Sequence, residues 1–300
     1  MMERAALAAL IDTSPDGPRT DAAWLERVLR ERWREPWPAY ARVTDDDDPP
    51  ARAWSVGGVH GLETLVQARP VVRGRDTSFV TDLLRVPTQC TLAAFAIAPG
   101  PGASAPRVDI ARFQRWIGVR SEGSLRTSAE HSKRLRQSIE GSLPGFLTRS
   151  LKSRSDRELS FFAFLSLLHE EGGLGVAYAT VDQLRRALVR LDALLEHPAM
   201  IHLMVGDGRH VGVLHRGVRL LQFFPPVAPP TRKPITGPHS MAGRGPVATL
   251  LLQVEPEVEA PRSDGPQAPE DVAHELEAGV HTIAVRAPLE LSRVGSGRAN

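Results

Sequence analysis

The stretch AMIHLMVGDGRHVGVLHRG, Ala199 to Gly217, decides the fold. It reads as two strands joined by Gly206-Asp207-Gly208-Arg209. Asp-Gly between alternating apolar residues is the strongest short-range hairpin signal, because a tight primed turn needs positive φ at its centre. Ile201, Leu203 and Val205 are expected to share one face with Val211 and Val213, and Met200, His202, Met204 and Leu214 the other. A sheet that is apolar on both faces must be covered on both, by helices or by a second sheet. Just upstream, Asp182 to Glu196 (DQLRRALVRLDALLE) carries Leu184, Leu188, Leu191, Leu194 and Leu195 at helical spacing on one stripe, so it is the element expected to cover the hairpin.

Around this module the chain has 300 residues, 42% of them hydrophobic, enough for a sizeable core. The net charge of +2 gives no argument for a polyanionic partner. Arginine far outnumbers lysine, and with the abundant Ala, Pro and Gly this is the composition of a GC-rich, bacterial-like genome. A single cysteine, Cys90, excludes a disulfide framework and a cysteine-based zinc site. There is no signal-peptide pattern and no run near the ~20 apolar residues of a membrane helix, so a cytoplasmic protein is expected.

From the start, Arg4 to Asp12 (RAALAALID) is an alanine-rich run that reads as a first strand or a first helix turn, with propensity on the side of helix. Asp21 to Arg34 is a helix ended by Pro36 and Pro38. The acidic loop Asp45 to Pro50 (DDDDPP) is a solvated connector rather than a metal site. Ala53 to His60 and Leu62 to Ala68 are strands, Thr77 to Leu84 a short helix, and Thr88 to Ala98 (TQCTLAAFAIA) a buried strand. Phe113 to Val119 reads as one short strand leading into a turn at Arg120-Ser121-Glu122-Gly123. A helix follows at Ala129 to Glu140. Ser155-Asp156-Arg157-Glu158 is a capping box, S-x-x-E, for the helix Leu159 to Glu170, which is apolar nearly all round and ends at Gly172-Gly173. Past the hairpin, strands are expected at Leu220 to Phe224, Val247 to Val254 and Val280 to Val285. Pro-rich loops separate them at 225–246 and 255–270.

This order of elements, with SDRE at 155–158 and GDGRHV at 206–211, resembles the class II glutamine amidotransferases over roughly Ala53 to Phe224. The resemblance implies an α+β fold, the four-layer αββα sandwich of the N-terminal-nucleophile hydrolases with antiparallel sheets, as one glutamine amidotransferase type-2-like domain over 1–300. It also implies a site. In the family an N-terminal cysteine attacks the amide, with its own α-amino group as base. Here the chain begins Met1-Met2-Glu3-Arg4, and Cys90 falls on a buried strand, where a thiol behaves as a small hydrophobe. The family's carboxylate-holding His-x-Arg matches Phe95 and Ile97. Its oxyanion-stabilising Asn-Gly matches Glu122-Gly123, where a carboxylate would repel the developing charge. Asp156, which in the family would hold the substrate's α-amino group, is retained beside Ser155. Its alternative role is to complement the helix dipole.

The expectation is therefore a pseudoenzyme. It has no catalytic residues, and a ligand-binding remnant at Glu122, Gly123, Ser155 and Asp156 serves a small amide- or amino-acid-like ligand or a partner subunit. An active amidohydrolase with a nucleophile exposed by processing, at Thr13 or Ser14, is the rival. A nucleic-acid or scaffold module using the basic stretch Arg126 to Arg157 is a second, although the stretch lacks interleaved aromatics. No H-x-x-x-H or H-E-x-x-H pair, P-loop or G-x-S-x-G elbow occurs, so no metal or cofactor is expected.

Overall fold

The computed structural model describes residues 4–12, 23–25, 27–28, 52–60, 63–72, 83, 90–97, 108–120, 129–176, 178–195, 201–216, 219–224, 248–254, 274–285 and 291–295. The first strands are β1 (Arg4–Asp12), β2 (Arg52–His60), β3 (Glu63–Val72), β4 (Cys90–Ile97), β5 (Ala111–Phe113) and β6 (Trp116–Arg120). Helices α1 (Ala129–Ser142), α2 (Gly145–Thr148), α3 (Asp156–Glu170) and α4 (Val181–Leu194) follow. The chain returns to β-structure in β7 (Ile201–Gly206), β8 (His210–Arg216), β9 (Arg219–Phe223), β10 (Ala248–Val254), β11 (His274–Leu276), β12 (Gly279–Ala284) and β13 (Leu291–Gly295).

The strands make two sheets, ordered β11-β9-β10-β1-β4-β2-β3 and β13-β12-β8-β7-β6-β5, and every ladder is antiparallel. The sheets meet face to face. Leu7, Leu92 and Ala94 of the first pack with Ile117, Met204, Val213 and Ile283 of the second. The other face of the second sheet, through Trp116, Leu203, Val205, Leu214 and Val280, is covered by α3 and α4. On the first sheet, Leu10, Trp54, Val56 and Phe95 alternate with residues of the inter-sheet core and are buried as well. The helical residues 23–25 and 27–28 bury Trp24, Leu25 and Val28. The chain is thus α+β, built on two stacked antiparallel sheets.

Several expectations change. Residues 4–12 form a strand, not a helix. β1 lies mid-sheet, hydrogen-bonded on one edge to β4 and on the other to β10, and these two ladders override alanine's preference. Phe113 to Val119 is a hairpin rather than one strand: Phe113 pairs with Trp116 across a turn in which Gln114 takes φ 51. In the central hairpin His202 pairs with His215, Leu203 with Leu214 and Met204 with Val213. Val211 and Val213 therefore share the inter-sheet face with Met204, and Leu214 joins Leu203 and Val205 under the helices. Only Gly208 has positive φ there (84°), because the Asp207 carboxylate holds the loop by accepting the N–H groups of Arg209 (2.9 Å) and His210 (2.8 Å).

Helices α3 and α4 start on side-chain caps. Ser155 caps α3, and at α4 Thr180 and Gln183 make a full reciprocal box. Gly172 (φ 75) closes α3, and the Gly173 N–H returns to the Leu168 carbonyl at 2.8 Å, as the Gly pair implied. The loop at 225–246, the acidic run at 45–50, and all but Leu83 of the helix expected at 77–84 lie outside the described residues.

Candidate functional site

β6 and β7 fix the level of the site. Arg120, the last residue of β6, pairs with Leu203, next to His202 near the start of β7. The far end of β7 is the Asp207-Gly208 turn. The Arg120 guanidinium reaches back under α3, where its Nη1 donates to the Asp156 main-chain carbonyl at 2.6 Å and to the Ser160 hydroxyl. Arg120, Asp156 and His202 therefore gather at one end of the second sheet. β8 and β12 bring His215 and His281 to the same end, since His215 lies opposite His202 and also opposite Gly279, two residues before His281.

Asp156 is the first residue of α3, and its carboxylate is held by Arg136 of α1. Arg136 Nε approaches Oδ1 at 2.5 Å and Nη2 donates to Oδ2 at 3.0 Å. The dipole role is the one the geometry supplies, because a carboxylate in the first turn of a helix faces the positive end of the dipole. Arg136 takes one contact on each oxygen, so a ligand ammonium at Asp156 would share the carboxylate with it. Ser155 is the N-cap, accepting the Glu158 N–H at 3.3 Å. Glu122 and Gly123 lie outside the described residues.

Glu158 departs from the expected reciprocal box. Instead of bonding the cap residue, its carboxylate accepts the N–H groups of Lys152 (2.8 Å), Ser153 (2.7 Å) and Arg154 (2.7 Å), and the Ser153 hydroxyl at 3.0 Å. It gathers the loop ahead of α3, where Arg154 takes φ 50. Burial alone would raise its pKa, but these donors outweigh burial and hold it below the usual glutamate value. A depressed carboxylate contributes stability above its unfolded pKa of ~4.3, and the contribution is lost as pH falls through the lower folded value. Glu158→Gln should therefore cost ~1–2 kcal/mol in urea unfolding at neutral pH, with the deficit shrinking at acid pH. A deficit equal at both would contradict this role.

Cys90 sits at the opposite end. It pairs with Ile11 at the end of β1, and a Cβ built on Gly206, beside the hairpin turn, would lie 3.7 Å from its sulfur. It is buried, and burial, followed by the negative charge of Asp207, pushes its thiol up to about 12. Such a thiol is not a nucleophile at neutral pH. Phe95 lies on the face of the first sheet turned away from the second, stacked on Trp54 at 6.2 Å between ring centres. It lines no space between the sheets. The side chain of Ile97 is outside the description.

Sequence reading missed the gathering of His202, His215 and His281. They come from three strands, two of them 66 residues apart in the chain, and no spacing motif links them. All three are buried, and His215 and His281 stack with ring centres 5.2 Å apart. Burial, then the proximity of His215 and Arg120, pushes His202 down to about 3 against the pull of a hydrogen bond to the Arg216 carbonyl. No helix among the described residues is long and apolar enough to cross a membrane.

No protein-family model and no curated protein matches the chain. Among solved structures it is similar to a glutamine aminotransferase class-II domain protein from Silicibacter pomeroyi, at 13% identity and TM-score 0.49, over 95% of this chain and 98% of that one. It is also similar to a glutamine phosphoribosylpyrophosphate amidotransferase from B. subtilis, at 12% identity and TM-score 0.46 over 96% of this chain, spanning only 49% of that longer protein. A predicted glutamine amidotransferase from Pseudomonas aeruginosa gives 12% identity and TM-score 0.35, over 95% of this chain and 93% of that one.

Proposed function

We propose that this chain is a class II glutamine amidotransferase-like protein that does not hydrolyse glutamine. It would hold a small amide- or amino-acid-like ligand, or a partner subunit, at the end of the sheets marked by Asp156. In this reading residues 1–300 form one domain, and helices over the buried outer face of the first sheet complete a four-layer αββα arrangement. The observation that carries the reading is the position of the only cysteine. Cys90 lies at the far end of the sheets from Asp156, with its thiol held protonated. An amide hydrolase of this class needs an ionisable nucleophile beside the groups that hold its substrate.

The test is ammonia release from glutamine by the purified protein. No turnover above a protein-free blank is expected, and Cys90→Ala should behave like the parent. Turnover that survives Cys90→Ala and is lost in Asp156→Asn would overturn the proposal, because it would show a second nucleophile working against a functional Asp156.

A further inference from the structure

We propose that His215 and His281, with the main-chain carbonyl of Glu277, form a site for one divalent transition-metal ion at the edge of the inter-sheet core. The two imidazoles are diagonal neighbours on adjacent strands. Their Nε2 atoms lie 3.2 Å apart, and each is 2.8 Å from the Glu277 carbonyl oxygen. The ring centres are 5.2 Å apart, so the rings converge on their Nε2 atoms. An ion with nitrogen and oxygen ligands at ~2.0–2.2 Å has adjacent donors roughly 2.8–3.4 Å apart, so the three atoms match one triangular face of such a coordination shell. Neutral imidazole with a hard carbonyl oxygen suits zinc, nickel or copper(II), with water in the remaining positions.

The surroundings favour this use. Both histidines are buried, while Glu277 and Ala278, in the turn that carries the carbonyl, are exposed and offer the way in. Gly279 stands opposite His215, so no side chain projects from that cross-strand position. Among the described residues no group of three or more His, Cys, Asp or Glu side chains is placed to hold a metal, and His202, with its ring centre 6.2 Å from that of His215, is a neighbour rather than a ligand. The rival occupant of this geometry is a pair of Nε2–H groups both donating to Glu277. In that case the histidines form a satisfied pair that binds nothing.

The inference is independent of the glutaminase reading and is tested separately. Chelator-treated full-length protein is titrated with zinc and with cobalt(II), read by calorimetry and visible absorption. The expected result is saturable binding of one ion per chain below ~100 μM, with a rise in Tm, since an ion bound only by the folded state stabilises it. His281→Gln and His215→Gln should each weaken binding at least about tenfold, while His60→Gln, an exposed histidine on β2, should not. Should the two variants fail to fold, ring-nitrogen NMR shifts of the parent protein decide the question: zinc should move the Nε2 signals of two histidines. Absence of saturable binding, binding unchanged in His281→Gln, or ring signals unmoved by zinc would each overturn the site.

Discussion

Phe161→Ala should cost ~3–5 kcal/mol and Gly118→Ala ~1–3 kcal/mol, and the double variant should cost less than the two together. The reason is a row of residues across the second sheet on its helix-facing side. Gly118 of β6, Val205 of β7 and Gly212 of β8 lie side by side in register. A Cβ built on Gly118 would lie 2.9 Å from Phe161 Cε2 and closer still to Cδ2. One on Gly212 would lie 2.5 Å from Leu188 Cδ1. The helices α3 and α4 thus each lower one large side chain onto bare backbone, with Val205 standing between them in the same core. Adding a methyl at Gly118 drives it into a ring that cannot retreat, because Phe161 is fully buried and packed edge-on against Phe162 at 5.6 Å. Removing the ring vacates that space, so the methyl then costs little. Urea unfolding of the two single variants and the double measures the coupling, and strictly additive costs would show that ring and glycine are not in close contact.

That row shows what was legible in the sequence and what was not. The hairpin, the covering helix and the buried strand β4 were visible because period-2 and period-3.6 patterns reflect which face is buried. The glycines in the row carried no such signal. Gly118 and Gly212 matter through what lies above them, and this follows from the placement of α3 and α4 rather than from neighbouring residues. The same limit explains β1. Its alanines favour helix in isolation, and only its two flanking ladders make it a strand. The faces of the hairpin were misassigned because the pairing register depends on the length of the Asp207 loop. A shift of one residue exchanges the two faces.

The site was legible to a lesser degree. Ser155 and Asp156 were readable as a helix start, because capping is local chemistry. The engagement of the Asp156 carboxylate by Arg136, 20 residues earlier, was not. Nor was the reach of Glu158 past the cap to the loop behind it, since S-x-x-E marks a box without fixing which N–H groups its acid accepts. The histidine group was least legible, as its members come together only when β7, β8 and β12 assemble.

Stability should fall as pH drops below 7, and a large part of that fall should disappear in His202→Leu. His202 is buried on β7, with His215 opposite and the Arg120 cation near, and only its bond to the Arg216 carbonyl favours the charged ring. Its folded pKa of about 3 lies below the unfolded value of 6.5, so the unfolded chain takes up a proton that the folded chain refuses. The sign follows from the difference in bound protons. The stabilising contribution is fully present above pH ~6.5 and is lost progressively as pH falls toward ~3. For this one group the loss between pH 7 and pH 5 is ~2 kcal/mol, a large share of the margin of a typical domain. His202→Leu keeps an apolar side chain of similar size facing Met204 and Val213 and removes the titrating ring. Chemical denaturation of both proteins at pH 7 and pH 5 gives the comparison. The parent should lose about 2 kcal/mol more than the variant over that interval. Equal losses would mean that His202 accepts its proton within the fold, and that this end of the sheets is wetter than its burial implies.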